Sequence, residues 1–320
     1  MTVFPANAEN IDKLAAVIGA GEAVAFPTET VYGLGVDACN DTAVAKIFEI
    51  KGRPQFNPLI IHIRDLAQAE ALGVFSPIAK SLAEAHWPGA LTLVVPRRSD
   101  NQAHNEVSLL ASAGLPSLAL RVPAHPVAQA LLAAAQCPLA APSANKSGQL
   151  SPTLATHVAK DFPNLPILDG GACAKGLEST IIGCLEDDPI LLRRGSLDPA
   201  ALEETLGHHL RYLPEDDSQT AKLAPGRLVR HYAPQAHLRL NAETIEAHEA
   251  LLAFGTKIPS YAGLCLNLSP TGNLTEAAAN LFSYLHELDA ATHRIAVMPI
   301  PDEGLGAAIN DRLKKAASSK

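Results

Sequence analysis

The chain has 320 residues, too many for one small core, and the usual size of about 100–200 residues per domain predicts two domains. Apolar residues make up 48% of the sequence but aromatic residues only 4%, which favours helices packed on sheets over an aromatic-rich β-sandwich. The formal net charge is −8, and residues 1–214 carry 15 basic against 21 acidic side chains, so no segment is a basic tract of the nucleic-acid-binding kind.

The cysteines are scattered and show neither C-x-x-C nor histidine-spaced pairs, which argues against a disulfide framework or a zinc site. They are Cys39, Cys137, Cys173, Cys184 and Cys265. The first residues include acids and no basic leader, and polar residues interrupt the most apolar stretch, 127–142. We therefore expect a soluble, cytoplasmic protein with no membrane segment.

Short runs of Val, Ile and Leu recur along residues 1–214 and predict strands. These runs are 22–26, 58–63, 90–95, 117–122, 138–141, 179–183 and 190–193. Helices are predicted where apolar residues return at three- and four-residue spacing, at 41–50, 76–86, 126–135 and 198–206. The alternation predicts one mixed α/β domain over residues 1–214.

A polar stretch with no apolar period follows, and we predict a linker over residues 215–234. Residues 235–320 then show a simpler alternation of strands and helices. The predicted strands are 237–240, 263–268 and 295–300, and the predicted helices are 243–254, 274–290 and 304–317. This β-α-β-α-β-α order predicts a small parallel, Rossmann-like sheet as a second domain.

The stretch "FPTETVYGLGVDA" (26–38) follows the first predicted strand and contains Gly33 and Gly35. It is not a dinucleotide fingerprint, because position 38 is Ala and no helix opens after Gly35. The loop also offers three hydroxyls and an acid: Thr28, Thr30, Tyr32 and Glu29. Ligands of α/β proteins are often held at such strand ends, but a turn whose threonines bond their own backbone explains the pattern equally well.

The stretch "KGRPQFNPLIIHI" (51–63) places two cations and an amide just before a buried strand: Lys51, Arg53 and Asn57. The forked guanidinium of Arg53 matches phosphate oxygens in a way that a lysine cannot. The group is a candidate phosphate clamp, and a solvated surface turn is the alternative. His62 stands alone in the apolar run, where a histidine is more often a core residue than a ligand.

The stretch "APSANKSGQLSPT" (141–153) gathers small donors after an apolar strand: Ser143, Asn145, Ser147, Gly148 and Ser151. Such a loop can turn several N–H and O–H groups onto one anion. It lacks the P-loop pattern, so any nucleotide would be held by a different construction. A simple serine-rich turn is the alternative.

Two further strand ends carry arginines, Arg121 in "SLALRVP" and Arg193 in "ILLRRG". An arginine in an apolar strand is costly to bury without an anionic partner, so Arg121 is predicted to have one. The sequence has no H-E-x-x-H, no G-x-S-x-G and no elbow cysteine. A site rich in donors and cations without a nucleophile suits phosphoryl or nucleotidyl transfer.

Five motifs, "PTETVYGLG", "KGRPQFNPLIIHI", "PSANKSGQLSPT", "ESTII" and "PGRLVRHYAP", stand in an order and spacing that resemble the YrdC-type L-threonylcarbamoyladenylate synthases. The resemblance is to the longer form with an added C-terminal domain and covers nearly the whole chain. It implies a YrdC-like twisted open α/β sandwich with a concave cleft. It also implies that L-threonine, bicarbonate or CO2, and ATP give threonylcarbamoyl-AMP and pyrophosphate, the first step of a tRNA modification next to the anticodon.

The resemblance also implies roles for individual residues. Those matching threonine or intermediate contacts are Thr30, His62, Arg121, Ala141 and Ser179. Those matching ATP contacts are Arg53, Asn57, Ser117, Ser143, Ser151, Arg193 and Tyr232, with Lys51 and Asn145 as secondary matches. No residue is assigned as an acid, a base or a covalent nucleophile, and no protein side chain is identified as a metal ligand. Mg²⁺ is expected to arrive with ATP.

The sequence departs from the family pattern at two positions, because Ala141 lacks a hydroxyl often found there and Arg194 stands where proline is more usual. The implied partners include downstream proteins that transfer the threonylcarbamoyl group, and a direct tRNA contact is possible. The linker motif "PGRLVRHYAP" is expected to cover the cleft as a lid, with a plain tether as its alternative. Two functional alternatives stay open: an RNA-binding YrdC-fold protein without catalysis, and a carbamoyl-transfer enzyme with another acceptor.

Overall fold

The computed structural model describes residues 2–52, 57–98, 106–212 and 232–318. Within these ranges the strands form an 11-stranded mixed sheet and a separate four-stranded sheet. The strands of the large sheet are β1 (Val3–Pro5), β2 (Val24–Phe26), β3 (Gly33–Asp37), β4 (Ile60–His62), β5 (Leu91–Pro96), β6 (Ser117–Arg121), β7 (Leu139–Ala140), β8 (Ile167–Asp169), β9 (Thr180–Gly183), β10 (Ile190–Arg193) and β11 (Arg211–Tyr212).

The order across the large sheet is β1-β8-β2-β3-β7-β4-β6-β5-β9-β10-β11, so neighbours in space come from distant parts of the chain. β4 and β6 are parallel, whereas β7 and β5, which flank this pair, run antiparallel to it. The helices that accompany this sheet are α1 (Ala8–Gly19), α2 (Asp41–Lys51), α3 (Leu66–Leu72), α4 (Pro77–His86), α5 (Pro126–Ala135), α6 (Ala155–Asp161) and α7 (Pro199–Leu206).

Local sequence signals set the ends of these helices. Asn40 accepts a hydrogen bond from the Ala43 N–H at the start of α2, and Gly52 ends that helix in the left-handed conformation. Ser76 caps α4 in the same way, ahead of a proline in the first turn. These devices place Lys51, the last residue of α2, directly before the chain that leads into β4.

The core lies on the helix-covered parts of the sheet. Ile47 of α2 and Leu82 of α4 are fully buried in the largest apolar cluster. Leu14 of α1 and Leu131 of α5 belong to a second cluster. Burial of each such side chain contributes roughly 1.5–3 kcal/mol, so the helices fix the sheet whose strand ends carry polar groups.

The four-stranded sheet is entirely parallel, in the order β12-β15-β13-β14. Its elements are β12 (His237–Arg239), β13 (Ala250–Ala253), β14 (Cys265–Asn267), α8 (Leu274–Ala291), β15 (Arg294–Val297) and α9 (Leu305–Ala317). The predicted fold class, a YrdC-like α/β domain with a small parallel α/β domain, is confirmed.

The prediction of a helix over 243–254 is wrong, because strand β13 occupies 250–253. Each residue of its Ala-Leu-Leu-Ala run is buried, and the strand pairs with both β14 and β15. A strand buried on both faces is a continuous apolar run that shows no period of two. Ala and Leu have a high intrinsic helix propensity, but here tertiary packing outweighs that propensity and places them in a strand.

The two sheets meet through a shared apolar cluster. Val31, Leu150 and Leu177, from the larger part, pack in the same cluster as Leu281 and Phe282 of α8. The proposed boundaries at 214 and 234 remain predictions, since 213–231 lies outside the described residues. In the described part of the chain, no helix combines the length and the apolar character that a membrane crossing requires.

Candidate functional site

A cleft lies where several strand ends of the large sheet meet Tyr232, and it encloses about 560 Å³ when its open mouth is included. The residues that line it are Thr28, Thr30, Val31, Gly33, Pro58, Leu59, Ile60, His62, Arg121, Ala141, Pro142, Ser143, Glu178, Ser179, Arg193 and Tyr232. Most of these residues come from the five motifs that the sequence analysis singled out, and Arg121, Ala141 and Arg193 come from the ends of neighbouring strands. The fold therefore brings distant segments into one cavity.

The floor of the cleft is formed by the neighbouring parallel strands β4 and β6, in which His62 and Arg121 are register partners. The His62 ring is 3% exposed and meets the Phe26 ring edge-on at 5.9 Å between centroids. Burial, helped by the nearby Arg121 charge, lowers the pKa of His62 to about 3. Its buried Nδ1 has no hydrogen-bond partner among the described residues, and the neutral imidazole lines the cleft.

Arg121 has the anionic partner that its position in an apolar strand predicted. Its Nη2 lies 2.6 Å from Oε1 of Glu29, and its Nη1 donates to Oγ1 of Thr30 at 2.9 Å. The other carboxylate oxygen of Glu29 accepts from the Ala124 N–H at 3.1 Å. Burial alone would raise the pKa of Glu29, but Arg121 more than offsets it and the pKa is lowered.

The sequence offered two explanations for the threonines after β2, a ligand site and a turn bonded to its own backbone, and the structure shows features of both. Oγ1 of Thr28 accepts from the N–H groups of Thr30 and Val31, at 3.1 and 3.2 Å, which is the self-bonded turn. Thr30 instead presents its hydroxyl to Arg121 at the cleft. The turn thus sets the geometry, and Thr30 carries the contact.

The serine-rich loop after β7 continues the sheet alongside β3. The Leu34 N–H donates to the Pro142 carbonyl at 2.8 Å, and Gly33 bridges Ser143 in antiparallel register. Nζ of the buried Lys51 donates to the Ser143 carbonyl at 2.6 Å and also to the Asn145 carbonyl. Lys51 therefore holds the backbone that places Ser143 in the cleft.

The opposite wall is built by Ser179 and Arg193. Nε and Nη2 of Arg193 donate to the Ser179 carbonyl at 3.1 and 2.9 Å, and Nη2 also reaches Oγ of Ser179 at 3.2 Å. Oγ of Ser179 lies 2.7 Å from Oγ1 of Thr92 on β5. Burial lowers the pKa of Arg193, although a guanidinium stays charged near neutral pH.

Gly195 lets these two segments come together. A Cβ built on Gly195 would lie 2.3 Å from the Ser179 carbonyl carbon and 2.4 Å from the Thr180 nitrogen. Both neighbours are backbone atoms, so no side chain fits between the two segments. Ser179 and Arg193 are consequently fixed relative to each other.

All five predicted threonine contacts line the cleft: Thr30, His62, Arg121, Ala141 and Ser179. Among the predicted ATP contacts, Ser143, Arg193 and Tyr232 line it as well. Asn57, Ser117, Ser151, Lys51 and Asn145 are buried but are not among the lining residues. Arg53 lies outside the described residues, and the ligand roles of all these residues remain predictions.

Sequence reasoning missed two acids at the cleft. Glu29 was noted only as part of a turn, and Glu178, which lines the cleft, was not considered. A signal for both was available, since each acid stands directly beside a hydroxyl residue in a loop next to a strand, with Glu29 after β2 and Glu178 before β9. Neither partner could be identified, because Arg121 is 92 residues from Glu29 and Arg312 is 134 residues from Glu178.

Tyr232 is the one described residue of the predicted linker that lines the cleft. It is 1% exposed, has a φ of 65°, and packs against Phe282 of α8 at 5.5 Å between ring centroids. Most of the proposed lid, up to His231, lies outside the described residues. The tyrosine therefore joins the small domain to the cleft.

Within the described ranges, no group of three or more His, Cys, Asp or Glu side chains could hold a metal ion. The two acids at the cleft are also engaged, since Glu29 pairs with Arg121 and Glu178 pairs with Arg312. Mg²⁺ keeps most of its ligands from water and phosphate in ATP sites. These residues fit a magnesium ion that is carried by the nucleotide better than one held in a protein cage.

Comparison with known proteins places this geometry in a family. Residues 16–195 match the Sua5, YciO and YrdC family, described as "Telomere recombination", and residues 197–318 match "Threonylcarbamoyl-AMP synthase, C-terminal domain". A Bacillus subtilis threonylcarbamoyl-AMP synthase is 39% identical, covering 98% of this chain and 94% of its own. The corresponding Pyrococcus abyssi protein is 40% identical over 95% of this chain and 92% of its own.

Solved structures agree with this assignment. The crystal structure of Pyrococcus abyssi Sua5 complexed with L-threonine superposes with a TM-score of 0.89 at 37% identity, covering 100% of this chain and 98% of that one. Escherichia coli YciO, at 21% identity and a TM-score of 0.54 over 60% of this chain and 95% of its own, shares the fold of the larger domain. The chain belongs to the family of threonylcarbamoyl-AMP synthases.

Proposed function

We propose that this cleft converts L-threonine, bicarbonate or CO2, and ATP into threonylcarbamoyl-AMP and pyrophosphate, the first step of threonylcarbamoyladenosine formation beside the tRNA anticodon. The observation that carries the proposal is the convergence of two buried arginines, Arg121 and Arg193, on one cavity with hydroxyl groups between them. The relative complexed with L-threonine supports the same assignment.

The floor of the cleft is assigned to threonine. Thr30, Ser179 and the neutral imidazole of His62 supply hydrogen bonds, and the backbone at Ala141 replaces the hydroxyl missing there. His62 suits an amine, because a neutral ring can accept a hydrogen bond without adding a positive charge. The position of His62 among the residues that line the cleft, next to Arg121, is the observation that favours a ligand here.

The wall at Arg193 is assigned to ATP, together with Ser143 and Tyr232. Asn57, Ser117 and Ser151 are assigned to the same substrate, as are Arg53, Lys51 and Asn145. Each hydrogen bond from a guanidinium to a phosphate contributes about 1.5–3 kcal/mol in such a site. Mg²⁺ bound to the triphosphate would neutralise the charge that develops on pyrophosphate.

The chemistry needs no covalent enzyme intermediate. The threonine amine adds to CO2 and loses a proton, which gives a carbamate. A carbamate oxygen then attacks the α-phosphate in line, forming one P–O bond as the bond to the leaving pyrophosphate breaks. Because free carbamates decompose readily, the protein's contribution is to position both substrates and to exclude water.

The decisive experiment measures pyrophosphate release from the purified full-length chain. We expect release to require ATP, threonine and bicarbonate together, and omission of any one to reduce it to background. Release that continues without threonine would favour a carbamoyl-transfer enzyme with another acceptor. RNA binding without any threonine-dependent release would favour the non-catalytic alternative.

The product is an activated acyl adenylate, which requires an acceptor. We assign the next step to separate transfer proteins that act on tRNA, and we leave direct tRNA contact to be tested with the same preparation. The cytoplasm is the proposed location, since tRNA modification is its setting in this assignment. All five cysteines are free thiols, which fits a reducing compartment.

A further inference from the structure

Arg312, in the last helix α9, is a buried cation of the small domain that reaches the cleft of the large one. It is 1% exposed. Its Nε and Nη2 both lie 3.1 Å from Oε2 of Glu178, and its Nη1 lies 2.8 Å from Oδ2 of Asp311. Glu178 lines the cleft, so this ion pair crosses from the second domain to the wall of the site.

Glu178 is itself tied to the residues assigned to ATP. Its Oε1 accepts from the Ser151 hydroxyl at 2.5 Å, and its backbone carbonyl accepts from the Ser196 N–H at 2.9 Å. The next residue is Ser179, whose carbonyl holds Arg193. A displacement of Glu178 would therefore reach Ser151 and Arg193 together.

The charge balance makes Arg312 more than a packing residue. Among the described residues that line the cleft, Glu178 is the one with an acidic side chain. A buried carboxylate is strongly disfavoured when its cationic partner is removed. Burial alone would lower the pKa of Arg312, but Tyr232, Glu178 and Asp311 reverse this effect and the pKa is raised. Without the Arg312 charge, Glu178 would add negative charge to the wall that faces a triphosphate and would interact more strongly with Arg193, whose charge it already meets.

Arg312 also supports Tyr232. The guanidinium carbon lies 5.3 Å from the centre of the Tyr232 ring, within the range of a cation–π contact. Tyr232 has a left-handed backbone, with a φ of 65°. Such a conformation persists only where surrounding contacts hold it, and here Arg312 and Phe282 lie against the ring.

We propose that Arg312 is a positioning residue for ATP: it neutralises Glu178 and holds Tyr232, so that the small domain sets the electrostatics and the shape of the nucleotide side of the cleft. This inference rests on the proposed function. It assigns the C-terminal domain a direct part in substrate use rather than a separate task.

The test compares KM values for both substrates in the full-length chain. We expect Arg312→Met to raise the KM for ATP about 10- to 100-fold, as small misplacements at a site can. The KM for threonine should rise less than the KM for ATP, because Ser179 is the one threonine contact beside Glu178, whereas Thr30 and His62 lie on other segments. Adding Glu178→Gln to this variant removes the carboxylate that Arg312 no longer neutralises and should restore much of the ATP affinity.

Arg239→Met is the matched control. Arg239 also forms a buried-acid pair in the small domain, with its Nη2 2.5 Å from Oε2 of Glu249, but neither residue lines the cleft. The KM of the Arg239→Met variant for ATP should equal that of the unchanged protein. If Arg312→Met and Arg239→Met behave alike, or if Glu178→Gln gives no rescue, the inference is overturned.

If the Arg312→Met variant does not fold, the Arg312→Lys variant tests the same inference. The lysine keeps the charge but cannot bond Glu178 through two nitrogens, so the KM for ATP should rise about 3- to 10-fold. An unchanged KM in this variant would overturn the inference. If the unaltered chain releases no threonine-dependent pyrophosphate, the proposed function fails instead, so the two failures are distinguishable.

Discussion

Arg121 is 3% exposed at the end of β6, and its charge is met by Glu29 and the Thr30 hydroxyl rather than by water. The need for a partner could be predicted from one arginine in an apolar strand. The identity of the partner could not, because the strand order that brings residues 29 and 121 together depends on the whole sheet.

Arg121→Lys tests the assignment of the cleft floor. A single ammonium cannot bond Glu29 and Thr30 in the fixed geometry of a guanidinium. We expect the KM for threonine to rise about 10-fold or more, with a change of less than about threefold for ATP. Pyrophosphate release at varied concentrations of each substrate measures both values.

The control is Arg64→Lys, since Arg64 is an exposed arginine just beyond β4. It should leave both KM values unchanged. An equal rise of the KM values for ATP and threonine in Arg121→Lys would contradict the assignment, because it would indicate a change of the whole cleft rather than of its floor.

His157 of α6 and His286 of α8 form a stacked pair between the domains, with ring centroids 4.0 Å apart. Burial, with smaller effects from His286 and Lys160, lowers the pKa of His157 to about 3. Burial also lowers the pKa of His286 to about 4, although its contact with the Ser151 carbonyl acts in the opposite direction. Both rings are therefore neutral in the folded protein at pH 5.

The unfolded chain takes up protons on these rings as the pH falls through 6.5, whereas the folded protein does so only near pH 4 at His286 and near pH 3 at His157. Hence the free energy of unfolding should decrease as the pH falls from about 7 to 5. Replacing His286 by Asn should reduce that decrease by on the order of 1 kcal/mol. Urea denaturation at pH 7, 6 and 5 measures it, and the exposed His208→Gln should show no such effect.

At the scale of elements, β3 explains the two glycines that resemble part of a nucleotide loop. Gly33 and Gly35 lie in a strand paired with β2, and a Cβ on Gly35 would meet the Phe26 ring at 2.7 Å. The glycines thus make room for an aromatic ring under the sheet, beside the ring of His62. Their spacing is a packing requirement.

Gly35→Ala should therefore destabilise the protein by about 1–3 kcal/mol, the usual cost of overpacking. Chemical denaturation measures the change. Gly19→Ala is the control, because nothing lies within 4 Å of the added methyl group at the end of α1, and it should be neutral or stabilising. Equal losses in both variants would rule out the Phe26 clash as the cause.

Elements with strong local signals could be predicted closely. The helix expected at 126–135 is α5, and that expected at 41–50 is α2 with one more residue, because capping residues and apolar spacing agree there. The strands β1 and β8 were not predicted, since Pro5 and Pro166 interrupt the short apolar stretches in which they lie. β13 was predicted as a helix because its pairing partners lie elsewhere in the chain.

At the scale of the whole molecule, Gly176 is a point where the two domains touch. A Cβ on this residue would lie 2.4 Å from the carbonyl oxygens of Ala278 and Ala279 in α8. The close approach of backbones brings Leu177 into the apolar cluster of the small domain, next to Glu178. The docking of the domains thus depends on a position without a side chain.

We expect Gly176→Ala to separate the domains and to raise the KM for ATP, because Glu178 would no longer lie within ion-pair distance of Arg312. Gly171→Ala is the matched control: its φ of 85° is also left-handed, but open space surrounds the added methyl group. Thermal unfolding should show a larger loss for Gly176→Ala, with two transitions. Similar curves and KM values for both variants would contradict the docking role.

The candidate site could be predicted in part at this scale. Each loop of the site has a sequence pattern that, taken alone, is also typical of an ordinary turn. Only the order and spacing of all the motifs together identified the loops as a site. The pair of Glu178 and Arg312 has no local pattern at all, since it joins residues 134 positions apart across two domains. Long-range electrostatics of this kind follows from the finished fold.

The missing side chain at Gly195 has a mechanical consequence. The backbones of the Ser179 and Arg193 segments are in direct contact there, so this wall of the cleft can move only as a single unit. A threonine at Ser179 and an ATP at Arg193, as proposed above, would therefore lie at a fixed spacing on this wall.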